Sequence, residues 1–283
     1  MSSESAADLL ADAAARLESV TETPRLDAEI LLAHAMNLSR AQLLARLREE
    51  APPGNFEELL NRRLDAEPIA YILGEWEFYS LTFEIEPPVL VPRPETEHLV
   101  EVVLEAIGDR PAHVLDVGAG SGCVSIAIAR NAPNCSVVAC DIRTDFLDLA
   151  RRNAARHYVA DRIAFRKGNL FDALAPDDGP FDLICSNPPY VAEPEWEGLP
   201  ATITRYEAPE CLLGGADGLD IVRRLVAQAQ DHLVPGGRLA LEIGMGQYET
   251  VRELLEQNGY EEISARRDLA GIDRIAMGKK PGP

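Results

Sequence analysis

The sequence lacks several features that mark secreted, metal-binding and membrane-spanning proteins. Its five cysteines are odd in number and include no Cys-x-x-Cys pair, so neither a disulfide framework nor a thiolate zinc site is indicated. It contains no run of about 18 apolar residues that could cross a membrane. Residues 1–19 are acidic and have a helical pattern, without the basic start and apolar core of a signal peptide. These features predict a soluble cytoplasmic protein with no membrane partner.

The sequence also has few basic residues and no His or Cys residues at the spacing of metal ligands. The chain has 27 Lys and Arg residues against 47 Asp and Glu residues, which gives a formal net charge of -20. Binding to a nucleic-acid backbone depends on clustered Lys and Arg, so we expect no direct nucleic-acid partner. The 5 histidines have no partner spacing and are interpreted as structural or surface residues, so no metal site is predicted. The acidic residues Glu193, Glu195 and Glu197 are interpreted as a solvated loop.

The periodicity of apolar residues changes along the chain and predicts three segments. Residues 1–75 repeat at helical spacing and predict a small helical bundle with a break at residues 52–54. This module could serve packing or dimerisation, or it could bind a macromolecular substrate. Residues 76–95 alternate and predict a β-hairpin linker. In residues 96–283 strands alternate with helices, which predicts an α/β domain with a doubly wound, mostly parallel, Rossmann-like sheet.

A glycine-rich loop follows the first strand of the α/β domain. It reads Gly118-Ala119-Gly120-Ser121-Gly122 and opens the next helix. The following strand ends at Asp141, where a carboxylate can accept the hydroxyl groups of a ribose. A dinucleotide-binding loop would have its third glycine one position later than this loop does. The pattern therefore favours S-adenosylmethionine, which has no pyrophosphate, over NAD.

A second loop, after the third strand of this domain, is expected to complete an adenosine pocket. Asn169 is expected to hydrogen-bond the exocyclic amine of the purine, and Leu170 is expected to pack on the ring face. A plain turn is the alternative for each residue taken singly.

The tetrapeptide Asn187-Pro188-Pro189-Tyr190 comes directly after an apolar strand. The side-chain carbonyl of Asn187 can accept a hydrogen bond. Pro189 has no N–H and a fixed φ, which leaves the Pro188 carbonyl free to accept a second one. Tyr190 offers an aromatic wall. Together with the glycine loop, these residues indicate methyl transfer to a planar amide or amine nitrogen, with Asn187 also beside the cofactor.

These motifs resemble the HemK/PrmC family of glutamine methyltransferases, which modify peptide chain release factors. The resemblance covers nearly the whole chain and includes segments 24–29, 67–74, 77–79, 89–97, 214–219, 235–237, 242–244 and 268–274. It implies that the substrate is the glutamine of a Gly-Gly-Gln motif in class 1 release factors, methylated on the side-chain amide N5. It further implies that Asn187 and the Pro188 carbonyl grip that amide. Residues 118–122, Asp141 and the loop around Leu170 would then hold S-adenosylmethionine.

The chain departs from the family pattern at two places. Asn169 stands where an acidic residue is usual, and Ala208 is inserted into the usual Tyr-Glu-Pro sequence after the tetrapeptide. The departures concern adenine recognition and the shape of the loop around Ala208. Arg93 is expected to steady the hairpin against the α/β domain rather than to contact substrate.

Two other functions remain open from the motifs. An adenine-N6 or cytosine-N4 methyltransferase also uses a loop of this type, on a flipped base. The acidic composition and the absence of a recognisable base-recognition domain count against it. The other alternative is a catalytically silent binding module, against which the intact Gly118, Asp141 and Asn187 argue.

Overall fold

The chain divides into two compact units. A computed structural model describes residues 5–49 and 54–282, so most of the predicted break at 52–54 lies outside the described residues. The first unit comprises residues 1–75 and 200–206, and the second comprises residues 76–199 and 207–283. Segment 200–206, which is distant along the chain from the N-terminal helices, therefore clusters with the first unit.

The first unit is a small bundle of helices, as its apolar spacing predicts. Its helices are α1 (Ala6–Leu17), α2 (Pro24–Ala35), α3 (Arg40–Ala45), α4 (Phe56–Leu64) and α5 (Ile69–Leu73). The fully buried leucines of its core are Leu10, Leu17, Leu31, Leu32, Leu43 and Leu60. Arg63 on α4 forms a buried ion pair with Asp27 on α2, with 2.8 Å between Nε and Oδ2. The Tyr206 hydroxyl donates to the Asp65 carbonyl at 3.0 Å and so joins segment 200–206 to this bundle.

The second unit contains a hairpin and a larger sheet. The hairpin pairs β1 (Glu75–Phe78) with β2 (Leu81–Glu84). The strands of the larger sheet are β3 (Ala112–Val117), β4 (Cys135–Asp141), β5 (Ile163–Lys167), β6 (Phe181–Ser186), β7 (Leu233–Glu242), β8 (Glu261–Arg267) and β9 (Asp273–Lys279). The later helices are α6 (Glu97–Ile107), α7 (Cys123–Asn131), α8 (Thr144–Arg156), α9 (Ala201–Thr204, in the first unit), α10 (Asp220–His232) and α11 (Tyr248–Gln257).

The larger sheet has the strand order β5-β4-β3-β6-β7-β9-β8. Strands β5, β4, β3, β6 and β7 are parallel, whereas β9 runs antiparallel to both β7 and β8. The central strands β3, β4 and β6 are buried along most of their length, as expected for parallel strands covered on both faces. The prediction of a Rossmann-like, mostly parallel domain is confirmed. Within the described part of the chain, no helix is long and apolar enough to cross a membrane.

Helix α6 and strands β8 and β9 were not predicted from the sequence. Strand β8 lies at the edge of the sheet, and its residues are exposed or half-buried throughout. An edge strand of this kind carries little apolar alternation, so its sequence gives no strong period.

A buried asparagine joins the hairpin to the glycine loop. Asn153 on α8 is fully buried, and its Oδ1 accepts the Glu84 N–H at 2.8 Å. Its Nδ2 donates to the carbonyl oxygens of Glu84 and Ser121, each at 3.0 Å. One amide side chain therefore satisfies backbone groups of β2 and of the glycine loop together.

Replacing Asn153 with alanine should lower the free energy of unfolding by about 2–4 kcal/mol, because buried backbone groups lose their partners. Urea unfolding followed by the fluorescence of Trp76 and Trp196, both in the second unit, measures the change. Asn134→Ala is the matched control, since this exposed asparagine makes one bond, to the Asp109 carbonyl at 3.1 Å. The control should change stability by no more than about 0.5 kcal/mol. Equal effects of the two substitutions would contradict the role given to Asn153.

Candidate active site

The main cavity of the second unit lies where the carboxyl ends of β3, β4 and β6 meet. Strand β3 lies between β4 and β6, so the order of the strands reverses at this point. Ligands of open α/β sheets bind at such a reversal. The predicted site residues that line the cavity are Gly118, Ala119, Gly120, Ser121, Asp141, Asn169, Leu170, Asn187, Pro188 and Pro189. Gly122 and Tyr190 are not among the described residues that line it. Lining residues that the sequence did not predict include Thr96, Asp116, Arg143, Phe146, Glu210 and Cys211.

The glycine loop has the backbone conformation that its composition predicts. Gly120 and Gly122 have φ values of +53° and +81°, in the left-handed region that favours glycine. A Cβ atom on Gly122 would lie 3.0 Å from the Cβ atom of Ala150 on α8. Gly122 therefore permits close packing of the loop on α8, whereas Gly120 lines the cavity.

Asp141 connects the glycine loop to the end of β4. Its Oδ2 accepts the Gly120 N–H at 3.0 Å, and its Oδ1 accepts the Arg143 N–H at 2.9 Å. Burial raises the pKa of this carboxyl, while the backbone N–H groups of Arg143, Gly120 and Ile142 lower it. A carboxylate has about four acceptor positions, so Asp141 can also accept a hydrogen bond from a ligand hydroxyl group. This geometry fits the ribose-binding role predicted for Asp141.

Asp116 is a second buried acid at the cavity, and it was missed in the sequence. It is 2 % exposed and accepts a hydrogen bond from the Ser125 hydroxyl on α7. Burial raises the pKa of Asp116 to about 6, against the effect of Ser125. The sequence did contain a signal for Asp116, because it is an acidic residue within the otherwise apolar strand that precedes the glycine loop.

Asn187 lies at the end of β6 with its side-chain amide group held in one orientation. Nδ2 donates to the Thr96 hydroxyl oxygen at 3.1 Å. Thr96 is 2 % exposed and ends a short helical turn before α6. Since the NH2 group is directed at Thr96, the carbonyl oxygen Oδ1 is the atom of Asn187 that remains to accept a ligand N–H.

The backbone after Asn187 is held by Gln247 and by a close approach to Gly214. Gln247 donates from Nε2 to the Tyr190 carbonyl at 2.9 Å. A Cβ atom on Gly214 would lie 2.6 Å from the Pro189 carbonyl, so only glycine permits this approach. Burial raises the pKa of the Tyr190 phenol, and the nearby Glu242 raises it further, so this hydroxyl stays protonated at neutral pH.

A smaller cavity adjoins Asn187 and is lined by Leu90, Arg93, Asn187, Tyr190, Cys211 and Leu212. Asn187 is thus a wall of both cavities. Arg93 donates from Nη2 to both carboxylate oxygens of buried Glu207, at 2.8 and 2.6 Å. The inserted Ala208 donates its N–H to the Pro88 carbonyl at 2.9 Å. These contacts support the structural role expected for Arg93, which nevertheless also faces the smaller cavity.

The second loop brings Asn169 and Leu170 to the main cavity. Leu170 has a φ of +53°, and its side chain is buried. The roles expected for these two residues toward a purine stay predictions.

Two segments of the chain match models of known protein families. A family model described as "Methyltransferase domain" matches residues 114–210, and one described as "PrmC N-terminal domain" matches residues 8–74. A methyltransferase from Pyrococcus furiosus has a similar fold, with a TM-score of 0.55 and 22 % identity over 80 % of this chain and 99 % of that one. The fold of the second unit is that of a methyltransferase domain.

The particular family follows from closer relatives. The release factor glutamine methyltransferase of Rhodopirellula baltica is 42 % identical over 269 residues, covering 92 % of this chain and 90 % of the relative. That of Nitratidesulfovibrio vulgaris is 39 % identical over 278 residues, covering 96 % and 94 %. The chain belongs to the release factor glutamine methyltransferase family. The predicted family is confirmed, and with it S-adenosylmethionine as the cofactor.

The cavity has the groups that this cofactor needs. Asp141 has free acceptor positions for ribose hydroxyl groups, and the left-handed Gly120 brings backbone close to the cavity. Leu170, Phe146 and Ile142 supply apolar surface. The residues present therefore fit an adenosine-containing ligand.

Asp141→Ala should weaken binding of S-adenosylmethionine by about 2–4 kcal/mol, because charge-assisted hydrogen bonds are lost. Isothermal titration calorimetry measures the dissociation constant, and the melting temperature reports whether the variant is folded. Asp161→Ala, at an exposed position, is the control and should leave binding unchanged. An unchanged dissociation constant for a folded Asp141→Ala variant would place the ribose elsewhere.

Proposed function

We propose that this protein transfers the methyl group of S-adenosylmethionine to the side-chain amide N5 of a glutamine in a class 1 peptide chain release factor. The position of Asn187 is the main support for this proposal. Asn187 lines both the main and the smaller cavity, and its Oδ1 remains able to accept a hydrogen bond from a substrate N–H. The family membership supports the same reaction. The free cysteine thiols suit action in the cytoplasm, a reducing compartment.

The chemistry depends on orienting a weak nucleophile. The lone pair of an amide nitrogen is delocalised into its carbonyl group, so the nitrogen reacts only when it is held in line with an electrophile. S-adenosylmethionine supplies that electrophile as a methyl group on a sulfonium. We assign Asn187 Oδ1 and the Pro188 carbonyl to accept the two N–H groups of the glutamine amide. Both bonds fix the plane of the amide and direct the nitrogen lone pair toward the main cavity.

Mostly apolar and neutral groups line the smaller cavity, to which we assign the reacting amide. They include Leu90, Leu212 and the protonated phenol of Tyr190, and the charged lining residue Arg93 is paired with Glu207. Such a lining limits the access of water to the amide. As the nitrogen gains the methyl group it becomes cationic, and one of its protons is then acidic enough to leave without a strong base. The protein therefore contributes orientation and a dry environment.

We assign the smaller cavity to the side chain of the substrate glutamine. A glutamine preceded by two glycines has no bulky neighbour on that side and can extend its amide toward Asn187. We assign the first unit, residues 1–75 with segment 200–206, to binding of the rest of the release factor.

Asn187→Ala should reduce kcat for methylation of a release factor by about two orders of magnitude or more, because a misplaced amide reacts slowly. The affinity for S-adenosylmethionine should change much less, since Asp141 and the glycine loop remain. Steady-state kinetics and calorimetry on the same preparation separate the two effects. Asn131→Ala, in a different part of the domain, is the control. Near-normal turnover by a folded Asn187→Ala variant would remove Asn187 from the reaction.

The substrate class is tested by offering radiolabelled S-adenosylmethionine with a release factor or with mixed DNA at physiological salt. We expect label only on the protein, because the net charge of -20 disfavours binding to phosphates. Mass spectrometry should place one methyl group on the glutamine of the Gly-Gly-Gln motif. Label on nuclease-sensitive DNA, with none on the release factor, would favour a base-methylating enzyme instead.

A further inference from the structure

Glu242 is a buried acid next to the proposed reacting centre. Neither the packing of the fold nor the proposed chemistry explains why an acid is buried there. It is the last residue of β7, and the preceding Leu241 pairs with Ser186, the last residue of β6. Glu242 therefore lies beside the point where the chain enters Asn187. Its side chain is 2 % exposed, and Oε2 has no hydrogen-bond partner among residues 5–49 and 54–282. Burying a carboxyl group whose oxygen has no hydrogen-bond partner lowers the stability of the fold, so the presence of Glu242 here needs a functional explanation.

The neighbours of Glu242 lead to Asn187. The hydroxyl groups of Thr96 and Tyr190 lie near the carboxylate, and both lower its pKa, which favours the charged form. The same Thr96 oxygen accepts the NH2 group of Asn187 at 3.1 Å. A threonine hydroxyl has one proton, and when that proton is given to Glu242 the oxygen can act toward Asn187 only as an acceptor. The charge on Glu242 thereby determines which end of the Asn187 amide faces Thr96.

We propose that Glu242 is a positioning residue for methyl transfer: its carboxylate accepts the Thr96 proton, which holds Asn187 with NH2 toward Thr96 and Oδ1 toward the substrate nitrogen. This inference rests on the proposed function for its kinetic consequences. Its structural part, the coupling of Glu242 to Asn187, does not require knowledge of the substrate. When Glu242 is protonated, or replaced by a neutral residue, the Thr96 hydroxyl group can donate to Asn187 as well as accept from it. The Asn187 amide can then also turn its Oδ1 toward Thr96 and its NH2 group toward the substrate.

The protonation of Glu242 falls in an accessible pH range. Burial and the nearby Glu95 raise the pKa of Glu242, whereas Thr96, Arg274 and Tyr190 lower it, and the net result is a pKa of about 7. Arg274 is itself paired with Asp268, with 2.8 Å between Nε and Oδ2. The thiol of Cys123, on which Glu242 has a small electrostatic effect, is neutral because burial raises its pKa to about 12. The orienting effect should therefore be present above about pH 7 and be lost as the pH falls through that value.

The kinetic test compares variants of the full chain with a release factor as substrate. Glu242→Gln and Thr96→Val should each lower kcat at pH 8 by about ten- to a hundredfold, with the KM for S-adenosylmethionine little changed. Because both act through one hydrogen-bond chain, the double variant should be no slower than the slower single variant. Thr96→Ser, which keeps the hydroxyl group, should recover most of the kcat lost in Thr96→Val. Glu253→Gln, at an exposed position on α11, is the control.

The pH dependence distinguishes positioning from a general loss of structure. In the unmodified protein kcat should fall as the pH is lowered from 8 to 6, and in Glu242→Gln this dependence should be absent. The melting temperature of Glu242→Gln at pH 8 should be equal or higher, because a buried charge is removed. A Glu242→Gln variant with normal kcat and a normal pH profile would overturn the inference.

A second measurement does not depend on turnover. The side-chain NH2 resonances of Asn187, assigned by comparison with Asn187→Ala, should titrate with a midpoint near pH 7 and should not titrate in Glu242→Gln. Resonances that titrate identically in both proteins would also overturn the inference. If the unmodified protein leaves release factor unlabelled, the proposed function fails, while these resonances still decide whether Glu242 controls Asn187.

Discussion

The convergence of three parallel strand ends is the constraint on which the active site depends. Val117 of β3 pairs with Cys140 of β4 on one side and with Ser186 of β6 on the other. The residues that follow these three positions are Gly118, Asp141 and Asn187. Hydrogen-bond register thus brings together groups that are far apart in the chain. Because the three strands are buried on both faces, a shift of register would disrupt the packing of their side chains and would also separate these three groups, so the core and the site are fixed by the same pairing.

The groups that hold the Asn187 loop lie mostly outside the cofactor cavity. Gln247 and Gly214 hold the backbone of Pro189 and Tyr190, while Thr96 holds the side chain of Asn187. In the proposed reaction the protein chiefly orients an amide, and for such a reaction these contacts matter as much as direct contacts to substrate.

This arrangement has a cost in stability. The pKa of Glu242 is raised from 4.5 to about 7 in the folded state, so the folded protein binds this proton more tightly than the unfolded chain. Glu242 therefore makes the protein less stable as the pH rises through that range. A destabilising group within a candidate active site is the pattern expected when a site is selected for function rather than for stability.

Much of the fold could be predicted from the sequence because its signals are local. The glycine loop, Asp141 at a strand end and the strand before Asn187 are each visible within a few residues, and the helical period of the first unit is regular. Helix α6 was less visible because its valines are typical of strands, although its buried positions follow a helical period. Strand β8 has no apolar alternation, since it is an exposed edge.

The features that the sequence did not predict are contacts between distant segments. Asn153, Thr96 and Glu242 meet their neighbours only when the sheet and its surrounding helices are in place. No local sequence pattern therefore indicates the roles of these three residues. The assignment of segment 200–206 to the first unit is of the same kind. Resemblance to a family marked the segments that contain Thr96 and Glu242, but it did not say what these side chains contact.

The most direct test of the account is a crystal structure of the protein with S-adenosylhomocysteine and a peptide that contains Gly-Gly-Gln. We predict that the glutamine amide nitrogen lies within hydrogen-bond distance of both Asn187 Oδ1 and the Pro188 carbonyl, with the cofactor ribose on Asp141. A glutamine bound away from Asn187, or an Asn187 amide whose NH2 group faces the peptide, would contradict the account.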